Sequence, residues 1–177
     1  MSAELTPARA ASPARACRGA SLVPLANNGA AVARATICLI NRERARHHLG
    51  RVRANAALAR IALGQSVDMV RGDYFADHSL GGLSPLERIV PALEPARVAA
   101  AGQNIGWGAG VDARPEAIVS AWMQSPPHRR VVLGAAFGQA GVGVAPALPV
   151  VLEQGTLGAT YTLDVTALAR HAQAAGR

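Results

Sequence analysis

The sequence predicts an α+β domain, and three observations predict it. At 177 residues the chain has the length of one domain and can bury a substantial core. Four segments before residue 125 carry apolar residues or caps at helical spacing. Two segments near the other end, 139–145 and 160–165, alternate as strands do and are joined by a Gly/Pro-rich stretch. Half the residues are hydrophobic but only six are aromatic, so the core has to be built from Ala, Val, Leu and Ile.

Taken in order, residues 1–29 are rich in Ala, Pro and Arg and end in Asn27-Asn28-Gly29; they read as a mobile segment followed by a turn. Ala30 to Arg46 reads as a helix with Val32, Ala35, Ile37, Leu39 and Ile40 on or near its buried side, and Gly50 ends that unit. Asn55 can cap the next helix, in which Leu58, Ile61, Ala62, Gln65 and Met69 fall at helical spacing until Gly72 closes it. Ser84-Pro85-Leu86-Glu87 has the form of a capping box with proline at the first helical position, opening a short helix to about Leu93. Gln103 to Trp107 reads as the start of a sheet or an extended loop beside it. Pro115 to Met123 reads as a helix with Ile118, Val119 and Trp122 inward, stopped by Pro126 and Pro127 so that His128 sits at a corner. Residues 166–177 read as an Ala-rich helical tail, so the domain is expected to span 30–165.

The charge is unevenly placed. All 18 basic side chains are Arg, and residues 1–60 hold ten of them against Glu4 and Glu43, whereas the remainder holds eight against nine acids. A basic first third can lean on anionic surfaces. Nucleic acid is not expected as a partner, because no aromatic residues are interleaved with these arginines and no binding motif is present. No transmembrane segment is expected either: the apolar stretch from Ala30 to Ile40 is too short and is broken by Arg34. Cys17 and Cys38, 21 positions apart, are either one disulfide or two unrelated buried thiols. A disulfide would contribute about 3 kcal/mol by closing that loop.

Four short motifs carry more information than the composition. They are Tyr74-Phe75-Ala76-Asp77-His78-Ser79, then Gly102-Gln103-Asn104-Ile105, then Ala121-Trp122-Met123-Gln124-Ser125-Pro126-Pro127-His128-Arg129, then Gly141-Val142-Gly143. With the opening Leu39-Ile40-Asn41-x-Glu43-Arg44, their order and spacing resemble the CAP superfamily of cysteine-rich secretory, antigen 5 and pathogenesis-related proteins, and most closely its compact bacterial branch. The resemblance covers roughly residues 30–165 and implies an α-β-α sandwich with a small antiparallel sheet between helical layers. Members of the branch are mostly secreted, which favours an extracellular or cell-envelope location and a paired Cys17 and Cys38. Residues 1–29 contain no apolar run of seven or more, so export is expected from the resemblance and not from a visible leader.

In that family two histidines and one or two glutamates line a cleft. The histidines fall on His78 and His128, and the glutamate of the family's G-E-N-I motif falls on Gln103, beside Asn104. Two imidazoles and a carboxylate suit Zn²⁺ with open positions for water. An amide in place of the acid removes the offsetting charge and cannot serve as a general base. Zn²⁺ or another divalent ion is therefore expected to be held weakly, by His78 and His128. His47 and His48 read as solvated residues near a helix C-terminus. Ser79, Ser84 and Ser125 lack the G-x-S-x-G elbow of a serine hydrolase.

These readings give three expectations for function. The leading one is a secreted or envelope-associated binding protein whose His-lined cleft takes a lipid or envelope ligand, supported if an apolar groove opens between helical layers. The second is a metal-assisted hydrolase, peptidase-like, using His78 and His128. The third is a non-catalytic scaffold acting through its basic N-terminal face.

Overall fold

The fold was established from a computed structural model, which describes residues 16–93, 98–150 and 155–169. Helix α1 runs over Gly29–Arg46, α2 over Ala56–Arg71, α3 over Pro85–Ile89, α4 over Pro115–Gln124 and α5 over Pro126–Val132. The strands are β1 (Arg53–Ala54), β2 (Val98–Ala109), β3 (Gln139–Ala145) and β4 (Gly158–Leu168). They form one sheet in the order β1-β3-β4-β2. β4 pairs antiparallel with both β2 and β3, and β1 runs parallel to β3.

Side chains alternate across β4, and both of its faces are covered. Ala159, Tyr161, Leu163 and Val165 join Ala140, Val142 and Val144 of β3 in a core completed by Val32, Leu39 and Ile40 of α1 and Ile118, Val119 and Trp122 of α4. The opposite face carries Thr160, Thr162, Asp164 and Thr166, all buried. There the Ser66 hydroxyl of α2 lies 2.9 Å from that of Thr162. Gly141 and Gly143 face α2 as well: a methyl group on either would overlap the helix backbone, at Leu58–Ala59 and at Ala62–Leu63 respectively. The Gly-Val-Gly motif thus bares the strand so that α2 can lie directly on it. With α1, α4 and α5 on one side and α2 and α3 on the other, the architecture is the expected α-β-α sandwich.

The caps explain where the helices begin. The Asn55 side chain accepts from the amides of Ala57 and Leu58, and the Ser84–Glu87 capping box is formed in both directions. α3 nevertheless ends at Ile89, four residues before the expected Leu93. Pro126 and Pro127 do more than stop α4. Proline is tolerated in a first helical turn, so they open α5 one residue later, and His128 lies in that turn and not at a free corner.

The expected C-terminal helix from residue 166 is corrected at its start, because Thr166, Ala167 and Leu168 continue β4. They pair with Ala101, Ala100 and Val98, which would otherwise lack a partner; residues 170–177 lie outside the described residues. β1, only two residues long, had no pattern to reveal it.

Cys17 and Cys38 are joined in a disulfide that fastens the segment before α1 to that helix. The Ala20 carbonyl accepts from the Glu116 amide of α4, and the Asn28 side chain bonds to Val23 and Leu25. The motif residues Asn41 and Arg44 serve the fold. Asn41 exchanges two hydrogen bonds with the Val52 backbone. The Arg44 guanidinium, 1% exposed, donates to the carbonyls of Gly50, Val132, Gly134 and Phe137.

Candidate functional site

The motif residues are divided between the two faces of β2. Asn104 lies toward α5, where its side-chain amide donates to the His128 carbonyl over 2.9 Å while its own oxygen, buried, lacks a partner. It therefore fixes the loop-to-helix corner rather than lining the same surface as its neighbour. Gln103 lies on the α2/α3 face, opposite Asp164 in the β2–β4 register. Its amide nitrogen donates to Asp164 over 2.8 Å, and its oxygen accepts from Arg88 over 3.2 Å.

Arg88 is the hub of this region. From α3 its guanidinium reaches the Asp77 carbonyl over 2.8 Å and the Leu83 carbonyl, holding both ends of the 77–83 loop that carries His78. Asp68 grips the same loop from α2, accepting from the Tyr74 hydroxyl and the Leu80 amide. Those two bonds hold the Asp68 carboxyl below its usual range, whereas burial raises the Tyr74 phenol, helped by its bond to Asp68. Gln65 adds a third tie, donating to the Ala76 carbonyl. A shallow cavity of about 410 Å³ opens here, lined by Gln65, Asp68, Ser79, Leu83 and Arg88 among others.

Asp164 is the most perturbed acid of the region. It is fully buried, and the loss of water raises its carboxyl to about 7 against the opposing pull of Gln103 and Arg88. One of its oxygens has no hydrogen-bond partner. The carboxylate missing at position 103 is thus matched by another directly across the strand pair. No motif spacing in the sequence points to Asp164 or Arg88, which meet Gln103 only through the fold.

His78 is exposed on its loop and near Glu87, whose carboxyl is held below its usual range first by Ser84 and then also by His78. His128 is half-buried on α5. Among the described residues, no group of three or more His, Cys, Asp or Glu is placed to hold a metal ion. The donor set also fits such an ion poorly, because the one ligating atom of Gln103 is already bound to a cation, Arg88.

A second concavity lies elsewhere. Between α1 and α2, along the edge of β3 that the two-residue β1 leaves open, a groove of about 830 Å³ is lined mainly by Ala30, Ala33, Ile37, Ala59, Leu63 and Val144. Its wall is largely aliphatic because the small residues of both helices, Ala30, Ala33 and Ala59 among them, leave the space unfilled. Asn27, Arg34, Asn55 and Arg60 supply its polar lining.

A four-stranded sheet between helical layers, with the His78 and His128 motifs placed around β2, defines the class as an SCP-like α-β-α sandwich. Residues 38–147 match the cysteine-rich secretory protein family, CAP, and the chain belongs to it. No curated protein matches the chain. Among solved structures, it is similar to an extracellular protein containing an SCP domain from Bacillus anthracis, with 24% identity and a TM-score of 0.65, over 81% of this chain and 44% of that one. An outer surface protein from Borrelia burgdorferi shares 14% identity with a TM-score of 0.61, over 75% of this chain and 90% of that one. A cysteine-rich secretory protein from Staphylococcus aureus shares 16% identity with a TM-score of 0.56, over 80% of this chain and 40% of that one. The chain thus spans less than half the length of two of these three, and at such identities the likeness is one of fold. Among the described residues no helix is long and apolar enough to cross a membrane.

Proposed function

We propose that this CAP-domain protein is an exported binding protein whose ligand is a lipid or a similar amphiphile of the cell envelope, seated in the groove between α1 and α2. The observation that carries the reading is the groove itself. Its volume of about 830 Å³ lies within the range of small-molecule sites, and its wall is aliphatic with a few polar groups. The Cys17–Cys38 disulfide supports an extracellular or cell-envelope location, since such bonds persist in oxidising compartments. The seat moves from the His-lined region expected from sequence, where the cavity is smaller and strung with polar ties. A metal-assisted hydrolase has less support, because Gln103 is not a base and its oxygen is taken by Arg88.

Binding of a fluorescent fatty acid, cis-parinaric acid, tests the proposal. Micromolar binding that weakens at least tenfold in Ala33→Trp and Ala59→Trp, both of which fill the groove, is the expected result. Binding undiminished in both folded variants, or no binding by the native chain, removes the groove as the site.

A further inference from the structure

We propose that Arg88 is the resident cation of the His78 cleft, excluding divalent ions from Gln103 and Asp164 and latching the His78 loop in their place. The inference is independent of the groove and rests on what surrounds the guanidinium. Burial draws the guanidinium below its ordinary value, against the pull of the Asp164, Asp68 and Asp77 carboxyls around it. Its hydrogen bonds go to both ends of the 77–83 loop, at the Asp77 and Leu83 carbonyls, and to the Gln103 side chain on β2. A divalent ion ligated by Gln103 would have to use the oxygen that Arg88 holds, and would then lie beside a fixed positive charge in a partly buried setting, where repulsion is strong.

The pairing of Gln103 with Arg88 is also internally consistent. A glutamine orients both ways at once, giving its nitrogen to Asp164 and its oxygen to Arg88. A glutamate at 103 would face the Asp164 carboxyl across the strand pair, and the pair would then either share a proton or draw in a further cation. The amide and the arginine thus form one solution to placing charge on this face of the sheet, and an acid with a metal ion forms the other. The loop gains an anchor that needs no ion: both of its ends are tied to a side chain carried by the α3 helix, whose start is fixed by the Ser84–Glu87 capping box.

The test is calorimetric titration with Zn²⁺ of metal-stripped native protein, Arg88→Met/Gln103→Glu, and the same pair with Asp164→Asn. Native protein is expected to show no Zn²⁺-dependent change in the His78 and His128 imidazole NMR signals up to 100-fold molar excess. The double variant is expected to bind at least 100-fold more tightly than native protein, and Asp164→Asn to abolish the gain. Native binding that shifts both imidazoles overturns the exclusion, as does a folded double variant with no gain. The latch is read separately in Arg88→Met by amide exchange at Ser79, Leu80 and Leu83, expected to quicken at least tenfold while α2 stays protected. Unchanged exchange there overturns the latch. Should the double variant fail to fold, the native imidazole titration and Arg88→Met still decide the two claims.

Discussion

Replacing Arg44 by Met removes four hydrogen bonds while keeping most of the aliphatic stem in place. The guanidinium donates to Gly50 over 2.7 Å, to Val132 and Gly134 over 2.9 Å each, and to Phe137 over 3.0 Å. A buried acceptor stripped of its donor costs about 1–3 kcal/mol. Two considerations reduce the total. Three of the four bonds are only part-buried, so water can reach those carbonyls, and the variant no longer keeps a charge out of solvent. Burial already draws the Arg44 guanidinium below its ordinary value, which is the signature of that cost. The expected net loss is about 3–5 kcal/mol, a large part of the stability of a single domain. Urea unfolding followed by the fluorescence of buried Trp122 should show a lower midpoint with an unchanged slope. Arg44→Lys should recover less than half of the loss, because one ammonium cannot reach all the carbonyls that the three guanidinium nitrogens serve. A loss below about 1 kcal/mol in Arg44→Met, or full recovery with Lys, would refute the reasoning.

Two further outcomes follow from buried positions. Asp164 is raised to about 7, so from about pH 4 to 7 the folded chain keeps a proton that the unfolded chain releases, and stability falls as pH rises through that window. Asp164→Asn does not titrate; relative to native protein it should gain about 2–3 kcal/mol between pH 5 and pH 8, and a difference independent of pH would contradict the assignment. Gly143→Ala drives a methyl group into the α2 backbone and should cost about 3 kcal/mol, lowering Tm by about 6–12 °C. Gly138→Ala, which meets nothing, is the control, and equal melting of the two variants would mean that α2 does not rest on β3.

Local rules made much of the fold legible. Asn55 and Ser84 announced their helices because a cap is a local bargain between one side chain and the nearest amides. β3 was readable to its ends from alternation bounded by turn residues. β4 misleads in the one place where alternation is usually trusted. Thr160, Thr162, Asp164 and Thr166 have the pattern of a solvent face, yet α2 covers them, as the bare glycines of the neighbouring strand allow. The candidate site was half legible for the same reason. His78, Gln103, Asn104 and His128 could be placed by resemblance, but Arg88 and Asp164 meet Gln103 only across tertiary distances of 15 and 61 positions. The α1/α2 groove was unreadable in detail, since a groove consists of what small residues such as Ala33 and Ala59 leave empty.

The order of the strands has a consequence for how the chain is made. β4 sits inside the sheet but is the last of the described strands to be synthesised, and β2 and most of β3 depend on it for their hydrogen bonds. Until residues 158–168 emerge, a ribosome-bound chain carries two strands with open edges and no partner between them. Arg44 waits as well, because three of its four acceptors lie 88 to 93 positions downstream. Folding of the sheet therefore waits for β4. A nascent chain halted before β4 would be a target for chaperones and proteases.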